Sequence, residues 1–91
     1  MKAIEWIDRV KTAKGIESDY GAAKIIGLSR QSVSGYRNGK CTFDEESSIK
    51  VANVLGEKPE VVLLDQFAER TKNPEIRSAL FDLARGVAIL C

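Results

Sequence analysis

Apolar residues recur at helical spacing along nearly the whole chain, and alternation of β-branched residues never persists, so the pattern predicts an all-α protein. Ile4, Ile7 and Val10, with Trp6 beside them, make the apolar stripe of a first helix that Gly15 closes as a left-handed cap. Ser18 followed by Asp19 reads as an N-cap with an acid that the helix dipole favours, opening a short helix through Ile26 that Gly27 terminates. Ser29 caps a third helix running to about Asn38, before Gly39. Asp44 caps a fourth, with Glu45 and Glu46 in its first turn and Ile49, Ala52 and Leu55 expected to point inward, until Gly56. Pro59 suits the first turn of a fifth helix that continues to about Thr71. Asn73 and Pro74 open a last one that continues despite Gly86. The expected architecture is a compact five- to six-helix bundle. Residues 1–57 form a binding core and residues 58–91 complete it and supply a dimer interface, within one compact domain overall. Residues 57 to 60 are the candidate seam.

With 91 residues the chain has room for one modest core and little for a buried cleft. The longest apolar runs, Val61 to Leu64 and Val87 to Cys91, fall far short of a bilayer span, and the N-terminus lacks a secretion-signal pattern. A cytoplasmic location with no membrane partner is expected. Cys41 and Cys91, with no histidine in the sequence, match no zinc spacing, so no metal and no cofactor are expected. An enzyme is not expected either: there is no glycine-rich phosphate loop after a strand and no acid pair in an evident pocket.

A net charge of +1 gives almost no global field, but its distribution is uneven. From Tyr20 to Phe43 there are four bases, Lys24, Arg30, Arg37 and Lys40, and no acid; the remainder holds ten bases against thirteen acids. On a helical wheel over Ser29 to Asn38, Val33 and Tyr36 fall on one side, continuing inward from Leu28. Gln31, Ser34, Gly35 and Asn38 fall on the other, with Arg30 at the N-terminal end. Such a face can read base edges in a major groove, Gln with adenine, Arg with guanine and Ser with either, and Gly35 would let the helix approach closely. Two short helices joined by a tight glycine-containing turn are the sequence form of a helix-turn-helix, and Gly21, Ala22 and Ala23 suit a close crossing. Tyr36 and Trp6 read as core, and Lys24 as a solvated charge.

The run from Gly27 to Lys40, GLSRQSVSGYRNGK, resembles the helix-turn-helix core of the lambda Cro and CI repressor superfamily, also called the Xre family. The likeness extends over Ser18 to Leu63, about half the chain: Ala23 in the second helix, the Gly27 turn, Val33 inside, Asn38-Gly39 closing the third helix, and Ala52, Leu55 and Gly56 in the fourth. With its short helical tail, the chain is also similar to immunity repressors of filamentous prophages. The resemblance implies that Arg30, Gln31 and Ser34 reach bases, with Gly35 beside them. It implies that Ser32, Asn38 and Lys40, with Ser29, lie near the sugar-phosphate backbone. Asp19 stands where many members of that superfamily carry a phosphate-binding glutamine, so anchoring there falls to Ser18, Tyr20 or backbone amides. Arg37 stands where a glutamate is common, and either pairs with an acid such as Asp8 or touches phosphate.

The tail carries more apolar surface than such a core needs. Residues 61–67, VVLLDQF, include Val62 and Phe67, and Ile76, Leu80, Leu83, Val87 and Leu90 follow a four-three-four-three spacing that makes a seam for a second helix. A two-fold homodimer would set two reading helices roughly 34 Å apart on a pseudo-palindromic operator of double-stranded DNA. The expected function is therefore a sequence-specific transcriptional regulator, a repressor by resemblance, relieved in one scheme by a protein anti-repressor. The alternative is a protein-interaction module of the same fold, such as an antitoxin or a regulatory adaptor.

Overall fold

A computed structural model describes residues 1–89, with side chains through Ala88. Leu90 of the expected seam and Cys91 lie outside the described residues. Six helices follow one another: α1 (Ala3–Lys14), α2 (Asp19–Ile26), α3 (Arg30–Arg37), α4 (Glu45–Leu55), α5 (Pro59–Arg70) and α6 (Pro74–Ile89), with no strand among the described residues. The boundaries are chemical. Ser18 Oγ accepts from the Gly21 N–H at 3.0 Å, Ser29 Oγ from the Ser32 N–H at 3.1 Å, and Asp44 Oδ1 from the Ser47 N–H at 2.7 Å. Each satisfies one of the amide donors that a helix start leaves open, an effect worth about 1 kcal/mol. Asn73 Oδ1 does the same for α6, accepting from the Glu75 and Ile76 amides.

The turn from α2 to α3 is made by Gly27, Leu28 and Ser29. Gly27 sits at φ 91°, in the left-handed region, so that its own N–H and that of Leu28 both reach the Ala23 carbonyl at 2.8 Å. Leu28 then turns in against the core. Gly21 is needed for a different reason: a Cβ there would stand 2.7 Å from Ile16 Cγ2 and 2.9 Å from the capping Ser18 Oγ. With Ala22 and Ala23 buried beside it, α2 presents a thin face to its neighbours.

Trp6, Ile7 and Val10 of α1 lie in one buried cluster with Val33 and Tyr36 of α3, Val51 and Ala52 of α4, and Val61 and Val62 of α5. Chain on both sides of residues 57–60 thus shares one core. Phe43, in the connection between α3 and α4, is fully buried and meets Tyr36 edge-on, with ring centroids 4.8 Å apart. Burial of such an aromatic side chain stabilises by about 1.5–3 kcal/mol. A polar knot closes the cluster: Trp6 Nε1 donates to Asp65 Oδ2 at 2.9 Å, Gln66 Nε2 to the Met1 carbonyl at 2.9 Å, and Gln66 Oε1 accepts from the Phe43 N–H at 3.0 Å. Buried groups of this kind persist because they are paired.

Two expectations are corrected. Ile49 is 41% exposed, and α4 turns Ser47, Ser48, Val51 and Ala52 inward instead. The side of α4 that meets α1, α2 and α5 is the one carrying Ser48, Val51 and Ala52, and Ile49 lies off it. Val62, expected at a dimer interface, is fully buried within the chain's own core and has no surface to offer a partner.

Candidate nucleic-acid interface

Val33 and Tyr36 anchor α3 to the core, and this fixes which side of the helix faces outward. Arg30, Gln31, Ser34 and Asn38 are all exposed on that side, and among the described residues their side chains make no hydrogen bond or ion pair within the chain. A helix surface whose amides, hydroxyl and guanidinium are left unused by the fold is free to bond to something else. Lys40 is exposed just beyond the end of α3, and Lys24 is exposed on α2. Ser29 and Ser32 bond to each other, Oγ to Oγ at 2.9 Å, while Ser29 also caps α3, so these two sit at the helix start as parts of the cap. Ser18 holds the same position on α2.

Gly35 also makes room within the chain. A Cβ there would stand 3.1 Å from Cys41 Sγ, so the missing side chain admits the loop that follows α3. Arg37 also resolves. Its guanidinium is held by two carboxylates, Nη2 to Asp8 Oδ1 at 2.9 Å and Nε to Asp19 Oδ2 at 2.9 Å, so the acid pairing expected as one of its two roles is formed. Lys11 Nζ adds a second cation, 3.0 Å from Asp19 Oδ1. The Arg37 hydrogen bond, reinforced by Lys11 against the opposing effect of burial, holds the Asp19 carboxyl at about 2, and the same pairing raises the Arg37 guanidinium above its ordinary range. Sequence reading paired Arg37 with Asp8; the larger share goes to Asp19, whose position beside α3 only the tertiary crossing reveals.

Tyr20 was expected at the phosphate backbone. It stands 51% exposed at the start of α2, and the Arg30 guanidinium lies over its ring, 4.8 Å from the centroid. On the far side of the face the basic character stops abruptly: Asp44, Glu45 and Glu46 are exposed at the start of α4, and Asp44 is held below its usual range chiefly by the Ser47 backbone N–H. Acids border the face on the other side too: Glu17 and Asp19 line one concavity with Ser34 and Asn38.

The α5–α6 surface is separate. Phe67, Ile76 and Leu83 are 52%, 47% and 55% exposed, with Leu80 half-buried beside them. Val87 packs on the chain's own core, and among the described residues of α6 Ala84 is the buried one. The seam therefore runs along the edge of the helix, one flank inward and the other open.

No helix of the described residues is long and apolar enough to cross a membrane. Among the described residues no cluster of three histidine, cysteine, aspartate or glutamate side chains is placed to hold a metal ion. The fold and site define a small all-helical protein with two short helices and a three-residue turn presenting an exposed polar face. Protein Gp-c of Pseudoalteromonas phage PM2, an uncharacterized protein, is 35% identical over 78 residues, spanning 80% of this chain and 84% of that one, and the chain belongs to its family. No protein-family model and no solved structure matches the chain.

Proposed function

We propose that this protein is a sequence-specific binder of double-stranded DNA, a phage-type transcriptional regulator of the cytoplasm that uses α3 as its reading helix and works as a homodimer. The observation that carries this reading is the outward face of α3: Arg30, Gln31, Ser34 and Asn38 are exposed and make no side-chain hydrogen bond or ion pair, while the opposite side of the same helix is locked into the core by Val33 and Tyr36. Rigid presentation of amide, hydroxyl and guanidinium groups is what base-edge recognition in a major groove requires. Lys40, exposed just beyond the end of α3, would neutralise phosphate. The phage origin of the relative agrees with a small regulator of this kind.

The homodimer rests on the exposed apolar side chains of α5 and α6, Phe67, Ile76 and Leu83, which a second copy would cover about a two-fold axis. Selection from random duplexes at two salt concentrations tests the function. An enriched motif with inverted symmetry, and an affinity that falls steeply with salt, are expected. The double variant Arg30→Ala with Gln31→Ala should abolish enrichment while leaving helix content unchanged. Retention of function by that variant, with loss on substitution of Ile76 and Leu83, would instead identify a protein-interaction module.

A further inference from the structure

Of the six arginines in the sequence, five have an oxygen partner: Arg9 pairs with Glu57, Arg37 with Asp8 and Asp19, Arg70 with the Phe43 carbonyl, Arg77 with Glu69 and Arg85 with Asp82. Arg30 differs. Among the described residues its one partner is the Tyr20 ring, over which the guanidinium carbon lies 4.8 Å from the centroid, and its N–H donors make no hydrogen bond. Neither residue is buried, so core packing does not hold the pair together. A ring quadrupole attracts the cation and orients its plane, but it accepts no in-plane hydrogen bond. The stack thereby removes rotamer freedom that Arg30 would otherwise lose on binding, and it does so without consuming a donor.

Resting on the DNA-binding reading, we infer that Tyr20 is a positioning residue for Arg30, and that the stacked guanidinium reads a guanine in each operator half-site. Guanine offers two acceptors, O6 and N7, spaced for the planar fork of an arginine, and it is the base that such a fork distinguishes. Arg30 is the first residue of α3, so its guanine lies at the edge of the half-site nearest the start of the reading helix. Gln31 and Ser34, one and four residues on, meet neighbouring bases. Tyr20 sits on α2 and its effect passes through Arg30. Removing it must weaken the preference at one base position and leave the others alone.

Random-duplex selection with full-length protein separates the possibilities, comparing wild type with Tyr20→Phe, Tyr20→Leu and Arg30→Ala after circular dichroism has matched their helix content. Wild type should favour guanine at one position per half-site by about tenfold or more, and Arg30→Ala should erase that preference alone. Tyr20→Leu should lower it by about two- to fivefold, the range of an exposed cation–π contact, while Tyr20→Phe retains it. If leucine disturbs α2, Tyr20→Gln serves as the ringless variant, with the same expectation. A guanine weighting equal to wild type in the ringless variants overturns the inference. So does a uniform loss at every position, which would make Tyr20 or Arg30 a phosphate contact. A wild-type protein that enriches no motif overturns the DNA-binding reading itself, and is told apart from those two outcomes by the absence of any preferred base.

Discussion

Arg37, the last residue of α3, and Asp19, the first of α2, are joined by two hydrogen bonds, Nη2 to Oδ1 at 2.7 Å and Nε to Oδ2 at 2.9 Å. A fork-to-carboxylate pair of this geometry fixes both partners in direction as well as distance. It ties the end of the reading helix to the start of its neighbour, and Asp8 adds a tie to α1. The basic residue nearest the core side of α3 is thus a brace.

Removing the brace should affect stability more than binding. Arg37→Ala is expected to lower the unfolding free energy by about 1 kcal/mol, a figure discounted for screening because the side chain is 43% exposed. It should leave the salt dependence of DNA binding unchanged. Lys40→Ala, by contrast, should reduce the slope of log affinity against log salt by about 1. A reduced slope in Arg37→Ala would return that residue to the phosphate backbone.

The same pair predicts an acid limb. Asp19 titrates at about 2 in the folded chain against an ordinary 3.8, so its contribution to stability is fully present above about pH 4 and is lost as pH falls towards 2. Asp44, lowered in the same direction, adds to that limb. Urea unfolding between pH 6 and pH 2 should show Asp19→Asn less stable than wild type at pH 6, with the difference closing by pH 2. A gap that stays constant across that range would exclude Asp19 as the titrating group.

Gln66 is fully buried and accepts the Phe43 N–H. Gln66→Leu conserves most of the volume but strands that amide and leaves the Met1 carbonyl without the Gln66 donor, so a loss of about 1–3 kcal/mol is expected in thermal or denaturant unfolding. A neutral result would mean that water replaces the glutamine at both positions.

Dimerisation should yield to surface charge. Ile76→Glu with Leu83→Glu places acids on the open flank of α6 without touching Ala84 or Val87 on the inward one. Sedimentation should show a monomer of unchanged helix content whose operator affinity has fallen by about tenfold or more, since one of two linked half-sites is lost. A variant that still sediments as a dimer would move the interface elsewhere.

The succession of helices was legible residue by residue because its signals are local. Ser18, Ser29 and Asp44 cap helices through side-chain oxygens that reach only three residues on, and Gly15, Gly27 and Gly56 end them by a backbone angle that L side chains avoid. The outward side of α3 was legible too, since Val33 and Tyr36 leave the helix one way to lie. What the pattern misjudged, it misjudged where polarity and burial part company. Ser48 is inside and Ile49 outside because the packing of α4 against α1, α2 and α5 decides which side of it is covered, and Val62 is core because α5 closes the same cluster that α1 opens. The partners of charged side chains were settled by tertiary structure alone. Asp19 and Arg37 are eighteen residues apart, and only the crossing of α2 with α3 brings them within bonding distance while setting Tyr20 against Arg30. Period and capping act along the chain, where neighbours in sequence are neighbours in space; charge pairing and ring stacking act across it, at distances that only the packed helices define.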